Sequence, residues 1–233
     1  TQSMTRNSSA VRPPTGADEL QYHLRLTETL GGAGGLAVDV EDPVSSFARG
    51  LHVLLALSRS VGGPGTERPL ALLLGLLALL GGQRLAHRAA GPVAGCLAMP
   101  LLLGATTVSR SLGTISTDAP LGLFLASALL VLLNDPDPAA RVDSTPRRLL
   151  TLGLLAGTAL SIKTTAALFF APAYLVLGLP LLLRERRPAV WAAGVAAVAL
   201  PVLFAAPWLG SNAAAGLHPL YPLLGLSAPE GLD

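Results

Sequence analysis

Long blocks of Leu, Ala and Val, separated by short polar segments, dominate the hydrophobic pattern of this chain. Such blocks differ from the short alternating runs of half-buried strands, and a bilayer core requires about 20 apolar residues per helix. The block at 149–183 would measure about 52 Å as one helix, so it is expected to fold back within a core about 30 Å thick. The pattern therefore predicts six membrane spans, from blocks at 69–86, 92–109, 119–134, 149–183 and 189–208.

Short polar segments indicate where the chain turns. The blocks 69–86 and 92–109 predict a helical hairpin closed by a basic turn around residues 84–88. The stretch 135–148, "DPDPAARVDSTPRR", is predicted as a loop because its prolines and charges exclude it from hydrocarbon. The longest block is expected to break at Lys163, the only lysine in the chain. An ammonium in the middle of a bilayer costs several kcal/mol, which favours a turn at that point.

Composition agrees with a membrane protein and excludes other classes. Of the 233 residues 51% are hydrophobic and only 13% are charged, against about 25% charged residues in an average soluble domain. The arginines lie between apolar blocks and form no solvated patch, so nucleic acid is not an expected partner. The single cysteine, Cys96, cannot form an intrachain disulfide. The bias toward Ala, Leu, Gly and Arg indicates a bacterial source.

The distribution of arginine predicts the orientation of the chain. Arginines concentrate in alternate polar segments, 84–88, 141–148 and 184–187, which the positive-inside rule places in the cytoplasm. The turn at Lys163 and the opening polar segment then face outward. We therefore expect a multi-pass protein of the inner or plasma membrane, surrounded by membrane lipids, whose unusual polar residues face the periplasm or exterior.

These assignments divide the chain into three regions. Residues 1–66 are expected to form an extracytoplasmic loop that contains an interfacial helix at 47–63, which is too short to cross a membrane. Residues 67–209 form the transmembrane bundle, and residues 210–233 begin a further outer loop. No signal peptide is recognisable in residues 1–66, so we expect a fragment that lacks at least one earlier helix and is inactive by itself. The predicted fold class is all-α, a polytopic transmembrane helical bundle.

Four stretches of the sequence, taken in order, resemble the GT-C glycosyltransferases, particularly the protein O-mannosyltransferases and the aminoarabinose transferase. The stretches are "DELQYHL", "STDAPLGLF", "GTALSIKTTA" and "PWLGSNAAAGLHPLYPLL". The resemblance implies transfer of a sugar from a polyprenyl-phosphate donor to a lipid, glycan or protein acceptor. It also implies an acid in the first outer loop, Asp18, a second acid that begins a later helix, Asp118, and a cation that faces the phosphate, Lys163. His218 departs from the family pattern, in which a polar asparagine is expected.

The chemistry of an inverting transfer requires residues of these types. A carboxylate within hydrogen-bond reach can remove the proton of the acceptor hydroxyl, and Asp18 is the candidate base. Lys163 can stabilise the charge that develops on the leaving phosphate, although a lysine that reaches the membrane surface beside a turn is the alternative. Asp118 is a candidate for substrate or metal binding, and its alternative is a helix N-cap before Pro120.

Other candidates belong to the same outer surface. Tyr22 and His23 can line a sugar site or simply anchor the chain at the interface. Glu19 can serve as a second base, a metal ligand or a solvated neighbour of Asp18. The sequence leaves open a divalent metal cofactor, but the remaining histidines, His52, His87 and His218, have no spacing typical of a zinc site.

Three classes of function are consistent with the pattern. A membrane glycosyltransferase requires its polar groups at the outer surface, where the sequence places them. A transporter or flippase of lipid-linked substrates requires polar residues near the middle of the bilayer, on broken helices in paired halves, and no inverted repeat is visible. A scaffold subunit requires no site. The convergence of Asp18, Asp118 and Lys163 in one outward-facing pocket would distinguish the enzyme.

Overall fold

The computed structural model describes residues 23–33, 48–133, 141–185 and 187–220, and these residues form helices and no strands. This confirms the predicted all-α class. A 3-10 turn, Thr164–Ala166, precedes α7, and a π turn, Tyr174–Gly178, follows it. The helices are α1 Arg25–Ala33, α2 Gly50–Gly62, α3 Glu67–Gly104, α4 Thr106–Gly113, α5 Asp118–Leu133, α6 Arg141–Ile162, α7 Ala167–Ala173, α8 Leu179–Arg184 and α9 Pro188–Ala214.

The long helix α3 is a hairpin of two arms. Gly91 has a φ of 87° and a ψ of −179°, a conformation that strains any residue with a side chain. A β-carbon on Gly82 would lie 3.1 Å from Leu102 Cδ1, and one on Gly95 would lie 2.7 Å from His87 Cβ. A straight helix would separate residues 82 and 102 by about 30 Å. The chain therefore reverses at Gly91, and the predicted hairpin with its basic turn is confirmed.

Two of the described helices, α3 and α9, are long and apolar enough to cross a membrane. The prediction of six spans is therefore not confirmed. The apolar helix α5 has 16 residues, about 24 Å, which is shorter than a bilayer core of about 30 Å. The apolar stretch Thr164–Val176 is also short, because it begins only after the break at Lys163.

The polar stretch 135–148 is helical where it is described. Helix α6 begins at Arg141, so the predicted loop is wrong over residues 141–148, while residues 134–140 lie outside the described part. Pro146 lies in the second turn of α6 and lacks the N–H that would bond to the carbonyl four residues earlier. Arg148 donates hydrogen bonds of 3.0 Å to the carbonyl oxygens of Val131 and Leu132 at the end of α5. This contact satisfies carbonyls that have no partner within the helix.

The predicted break at Lys163 is confirmed. Helix α6 ends at Ile162, and Lys163 is extended, with φ −151° and ψ 121°, before the chain enters the 3-10 turn and α7. The broken segment then packs back on α5 and α6, where Phe170 joins Leu121 and Leu152 in a buried apolar cluster.

Helices α6 and α9 approach each other closely at glycines. A β-carbon on Gly153 would lie 2.6 Å from the Ala197 Cα, and one on Gly157 would lie 3.0 Å from the Phe204 ring. Small residues four positions apart allow two helix backbones to touch, which is typical of helices that pack in membranes. Helix α6 also contacts α2 and α5, so it lies at the centre of the described helices.

An apolar cluster gathers the ends of several helices at one side of the molecule. Leu51 and Leu55 of α2 pack with Ala71 of α3, Ile115 before α5 and Ile162 at the end of α6. Helix α2 occupies the place predicted for the interfacial helix, and several of its other Leu and Val side chains are exposed. Its position at a membrane surface stays a prediction.

Candidate functional site

An ion pair joins two of the residues that the sequence singled out. Lys163 Nζ donates a hydrogen bond of 2.6 Å to Asp118 Oδ1, across 45 positions of sequence. The extended residue after α6 carries the lysine, and the first turn of α5 carries the acid. The side chains are 39% and 60% exposed, so the pair is open to solvent and to a ligand.

Asp118 is not the N-cap of α5. The backbone N–H of Leu121 donates to the Thr117 carbonyl at 3.1 Å, so the hydrogen-bond ladder of the helix begins at Thr117. Asp118 is the first residue within the helix, where an acid still interacts favourably with the helix dipole. Its carboxylate is directed to Lys163, which the N-cap interpretation did not predict.

The ion pair can bind an anion without being important for stability. Exposed pairs typically contribute about 0–1 kcal/mol, because water screens them. An ammonium has three N–H donors, and the bond to Asp118 uses one of them. Lys163 therefore has the chemistry to bind a phosphate oxygen while Asp118 holds its side chain in place.

An apolar cavity of about 260 Å³ lies along the same helices. Its walls come from α5, α6, α7 and the π turn, and include Leu129, Leu152 and Tyr174. The lining residues nearest the ion pair are Leu125, seven positions after Asp118, and Phe169, six positions after Lys163. These separations correspond to about 10 Å along a helix. The ion pair and the apolar cavity therefore lie one after the other along the same two segments, α5 and the chain from Lys163 through α7.

Two buried histidines neighbour, in sequence, members of the apolar cluster that contains Leu51 and Ile162. His23 Nδ1 lies 2.9 Å from His52 Nε2, and the two rings stack with centroids 5.2 Å apart and planes 16° apart. Burial lowers the pKa of His52 to about 3, and the nearby positive charges of His23 and Arg49 act in the same direction. In the sequence His52 was considered only as a zinc ligand, and its pairing with His23 was not predicted. Its place beside Leu51 and three residues before Leu55, on an apolar helix face, was the available signal.

A second polar network ties the first three helices together. Arg59 of α2 forms ion pairs with Glu67 of α3 at 3.0 Å and with Glu28 of α1 at 3.1 Å. Glu67 is buried and accepts a further bond of 2.7 Å from the Gly65 N–H. This network was not predicted from the sequence, because it depends on how three separate helices dock.

The remaining candidates are either outside the described residues or apart from the ion pair. Asp18, Glu19 and Tyr22 lie outside the described residues, so the predicted base stays a prediction. His218 is exposed, and its Nδ1 accepts a bond of 3.1 Å from the Leu220 N–H. Within the described ranges no group of three or more His, Cys, Asp or Glu side chains could hold a metal ion.

Comparison with known proteins identifies the family. No curated protein and no solved structure matches the chain. The family model described as dolichyl-phosphate-mannose-protein mannosyltransferase matches residues 55–209, more than half of the sequence. The match contains Asp118, Lys163 and every residue that lines the apolar cavity. The predicted resemblance to the protein O-mannosyltransferases is thereby confirmed, and the chain belongs to the dolichyl-phosphate-mannose-protein mannosyltransferase family of membrane glycosyltransferases.

Proposed function

We propose that the protein transfers a sugar from a polyprenyl-phosphate-linked donor to an acceptor hydroxyl on the extracytoplasmic face of the membrane. The observation that carries this proposal is the ion pair Lys163–Asp118, which shares its two segments with an apolar cavity about 10 Å further along, within the part of the chain that matches the family. A cation beside an apolar cavity suits a donor that joins a charged phosphate to a hydrocarbon chain.

The ion pair and the apolar cavity bind different parts of the donor. Lys163 binds a phosphate oxygen through the N–H donors that Asp118 does not use. The first part of the prenyl chain lies in the cavity between Leu125 and Phe169. Because the cavity starts about 10 Å from the ion pair along each helix, the phosphate and the chain can occupy their sites together.

The transfer itself is a displacement at the anomeric carbon. Asp18 takes the proton of the acceptor hydroxyl, whose oxygen forms the new bond to the sugar. The bond from the sugar to the phosphate oxygen breaks, and its electron pair leaves with the polyprenyl phosphate. Lys163 stabilises this developing charge, and attack opposite the leaving group inverts the anomeric centre. Glu19 and Tyr22 are the further candidates for contact with the sugar, whereas His23, a candidate in the sequence, is buried against His52.

The orientation proposed for the site follows the arginine distribution. The segments at 84–88, 141–148 and 184–187 face the cytoplasm, so the Lys163 turn faces the periplasm or the exterior of a bacterial inner or plasma membrane. The acceptor on that side is a protein, glycan or lipid hydroxyl. A divalent metal is not required by the chemistry assigned to Asp18 and Lys163.

A transporter of lipid-linked substrates is the alternative function. Its charged groups would lie near the middle of the bilayer, at the breaks of discontinuous helices in paired halves of the chain. The ion pair joins the first residue of α5 to the residue that follows α6, and the arginine distribution predicts that both face outward. The glycosyltransferase is favoured because the sequence shows no inverted repeat and its predicted site is at the outer surface.

The test uses the full-length protein in lipid nanodiscs with a labelled polyprenyl-phosphate sugar. Lys163→Ala is expected to weaken donor binding and to lower transfer about 100-fold or more, the usual effect of removing one group that stabilises a transition-state charge. Arg110→Ala, which removes an exposed arginine of α4, serves as the matched control and is expected to retain activity. A Lys163→Ala enzyme within about threefold of wild type, well short of that loss, would contradict the proposal. Movement of the labelled lipid across vesicles without sugar transfer would support the transporter.

A further inference from the structure

A tyrosine lines the part of the apolar cavity that lies farthest along the chain from the ion pair. The last lining residues of the two segments are Leu132 of α5 and, after α7, Tyr174 and Gly178. Tyr174 follows Lys163 by eleven positions, which corresponds to about 16 Å along a helix. Because Gly178 has no side chain, the Tyr174 ring is the bulkiest group in this far part of the cavity.

The hydroxyl of this tyrosine is bonded to the neighbouring helix α9. Tyr174 Oη donates to the Ala197 carbonyl oxygen at 3.3 Å, which is long for a hydroxyl donor. The carbonyl lacks its usual helical partner, because the residue four positions further on is Pro201, which has no N–H. The bond therefore pairs two polar groups that the apolar surroundings do not satisfy.

Packing holds the tyrosine between the cavity and α9. Tyr174 packs against the buried cluster that contains Phe170 and also against the cluster that contains Val190 and Ala197. An aliphatic side chain could fill such apolar space, whereas a hydroxyl placed there costs free energy unless it is hydrogen-bonded. The hydroxyl thus adds a directional contact that fixes where the ring stands.

The cavity is open at one side. Leu129 and Phe169 both line it, and their exposed fractions are 44% and 57%. A prenyl chain that is longer than the cavity can therefore leave toward the membrane at this side. The cavity then contacts only the part of the chain that is nearest to the phosphate.

We propose that Tyr174 is a specificity-determining residue, which limits the size of the hydrocarbon that the cavity accepts. This inference rests on the proposed function, in which the cavity binds the first part of the prenyl chain. The ring occupies the far part of the cavity, and the bond to the Ala197 carbonyl keeps it there. The site therefore selects donors by the shape of their first isoprene units and not by the full length of the chain.

The test matches an enlarged ligand to an enlarged cavity in the full-length protein in lipid nanodiscs. The probes are farnesyl phosphate and a geranyl phosphate that carries a phenyl ring at the end of its chain. Displacement of labelled farnesyl phosphate gives both affinities, and their ratio is compared between variants, so that partition of the probes into lipid cancels.

Wild type should prefer farnesyl phosphate, because the phenyl ring of the analogue meets the Tyr174 ring. Tyr174→Ala should shift the ratio about tenfold or more toward the phenyl analogue, since a small misfit in an apolar pocket has an effect of this size. Tyr174→Phe keeps the ring but not the bond, so its ratio should lie between those of wild type and Tyr174→Ala. Tyr174→Leu keeps an apolar wall and should shift the ratio in the same direction even if the alanine variant does not fold.

Leu175→Ala is the matched control. Leu175 directly follows Tyr174, is 64% exposed and is not among the residues that line the cavity, so this variant should keep the wild-type ratio. An unchanged ratio in Tyr174→Leu would overturn the inference. An equal shift in Leu175→Ala would overturn it as well, because the effect would then not belong to the cavity.

Binding of the two probes separates this inference from the proposed function. If the ratios follow the expected order but wild type transfers no sugar, the proposed function fails and the role of Tyr174 in selecting the hydrocarbon stands. If wild type transfers sugar but all variants show one ratio, the proposed function stands and the inference fails. Failure of wild type to bind either probe would also overturn the inference.

Discussion

At the scale of single residues, the two acids of the site should respond differently to the same substitution. Asp18→Asn keeps the shape of the side chain but removes the proton acceptor, so kcat should fall about 10²–10⁴-fold while donor affinity is retained. Asp118→Asn can still accept a hydrogen bond from Lys163 and should lose less than about tenfold, well below a general-base effect. Single-turnover rates and donor affinities should be measured for both variants. Similar losses of kcat in the two would contradict the role of Asp18 as the general base.

The buried His52 predicts how stability depends on pH. Its folded pKa of about 3 lies below the ordinary value of 6.5, so the unfolded chain binds a proton below pH 6.5 that the folded protein excludes. The free energy of unfolding therefore falls as the pH drops from 6.5 toward 3, by at most about 3 kcal/mol at pH 4. Thermal unfolding at pH 7 and pH 4 should show a larger drop for wild type than for His52→Gln. An identical drop would mean that His52 does not titrate in this way.

At the scale of elements, the contact between α6 and α9 depends on a glycine. A β-carbon at Gly153 would lie 2.6 Å from the Ala197 Cα and 2.9 Å from its carbonyl oxygen, both in the backbone of the facing helix. Gly153→Ala should therefore force the helices apart and destabilise the protein by about 1–3 kcal/mol. Gly122→Ala is the control, because nothing lies within 4 Å of its β-carbon, and it should be neutral or stabilising by up to about 1 kcal/mol. Thermal unfolding of the two variants, measured in parallel, tests this predicted difference in stability.

At the scale of the whole molecule, the arginine distribution predicts which segments face outward. In a Cys96→Ser background, Ala215→Cys should react with an impermeant thiol reagent in intact cells, and Ala140→Cys should react only after permeabilisation. The reverse pattern would invert the orientation and place the Lys163 turn in the cytoplasm. Such a result would contradict the proposed reaction on the extracytoplasmic face.

Sequence reasoning succeeded where one residue determined the local structure. Basic residues between two apolar blocks indicated the hairpin, and an ammonium is costly inside hydrocarbon, so the hairpin and the break at Lys163 could both be predicted, although the structure places the reversal at Gly91. The contact between His23 and His52 could not be predicted, because it depends on how α1 and α2 dock, 29 positions apart in sequence. The start of α6 was missed because the charges and prolines near Arg141 are common in loops and are also tolerated in the first turns of a helix.

The contact of Arg148 with the end of α5 has a consequence for engineering. Schemes that invert a membrane protein by moving positive charges treat the arginines of a loop as interchangeable. Here the guanidinium of Arg148 donates hydrogen bonds to carbonyl oxygens in the last turn of α5, whereas the neighbouring Arg147 is exposed. A redesign that relocates charge should therefore replace Arg147 and keep Arg148. Otherwise a change intended only to reverse the direction of insertion would also unwind the last turn of the helix that begins at Asp118.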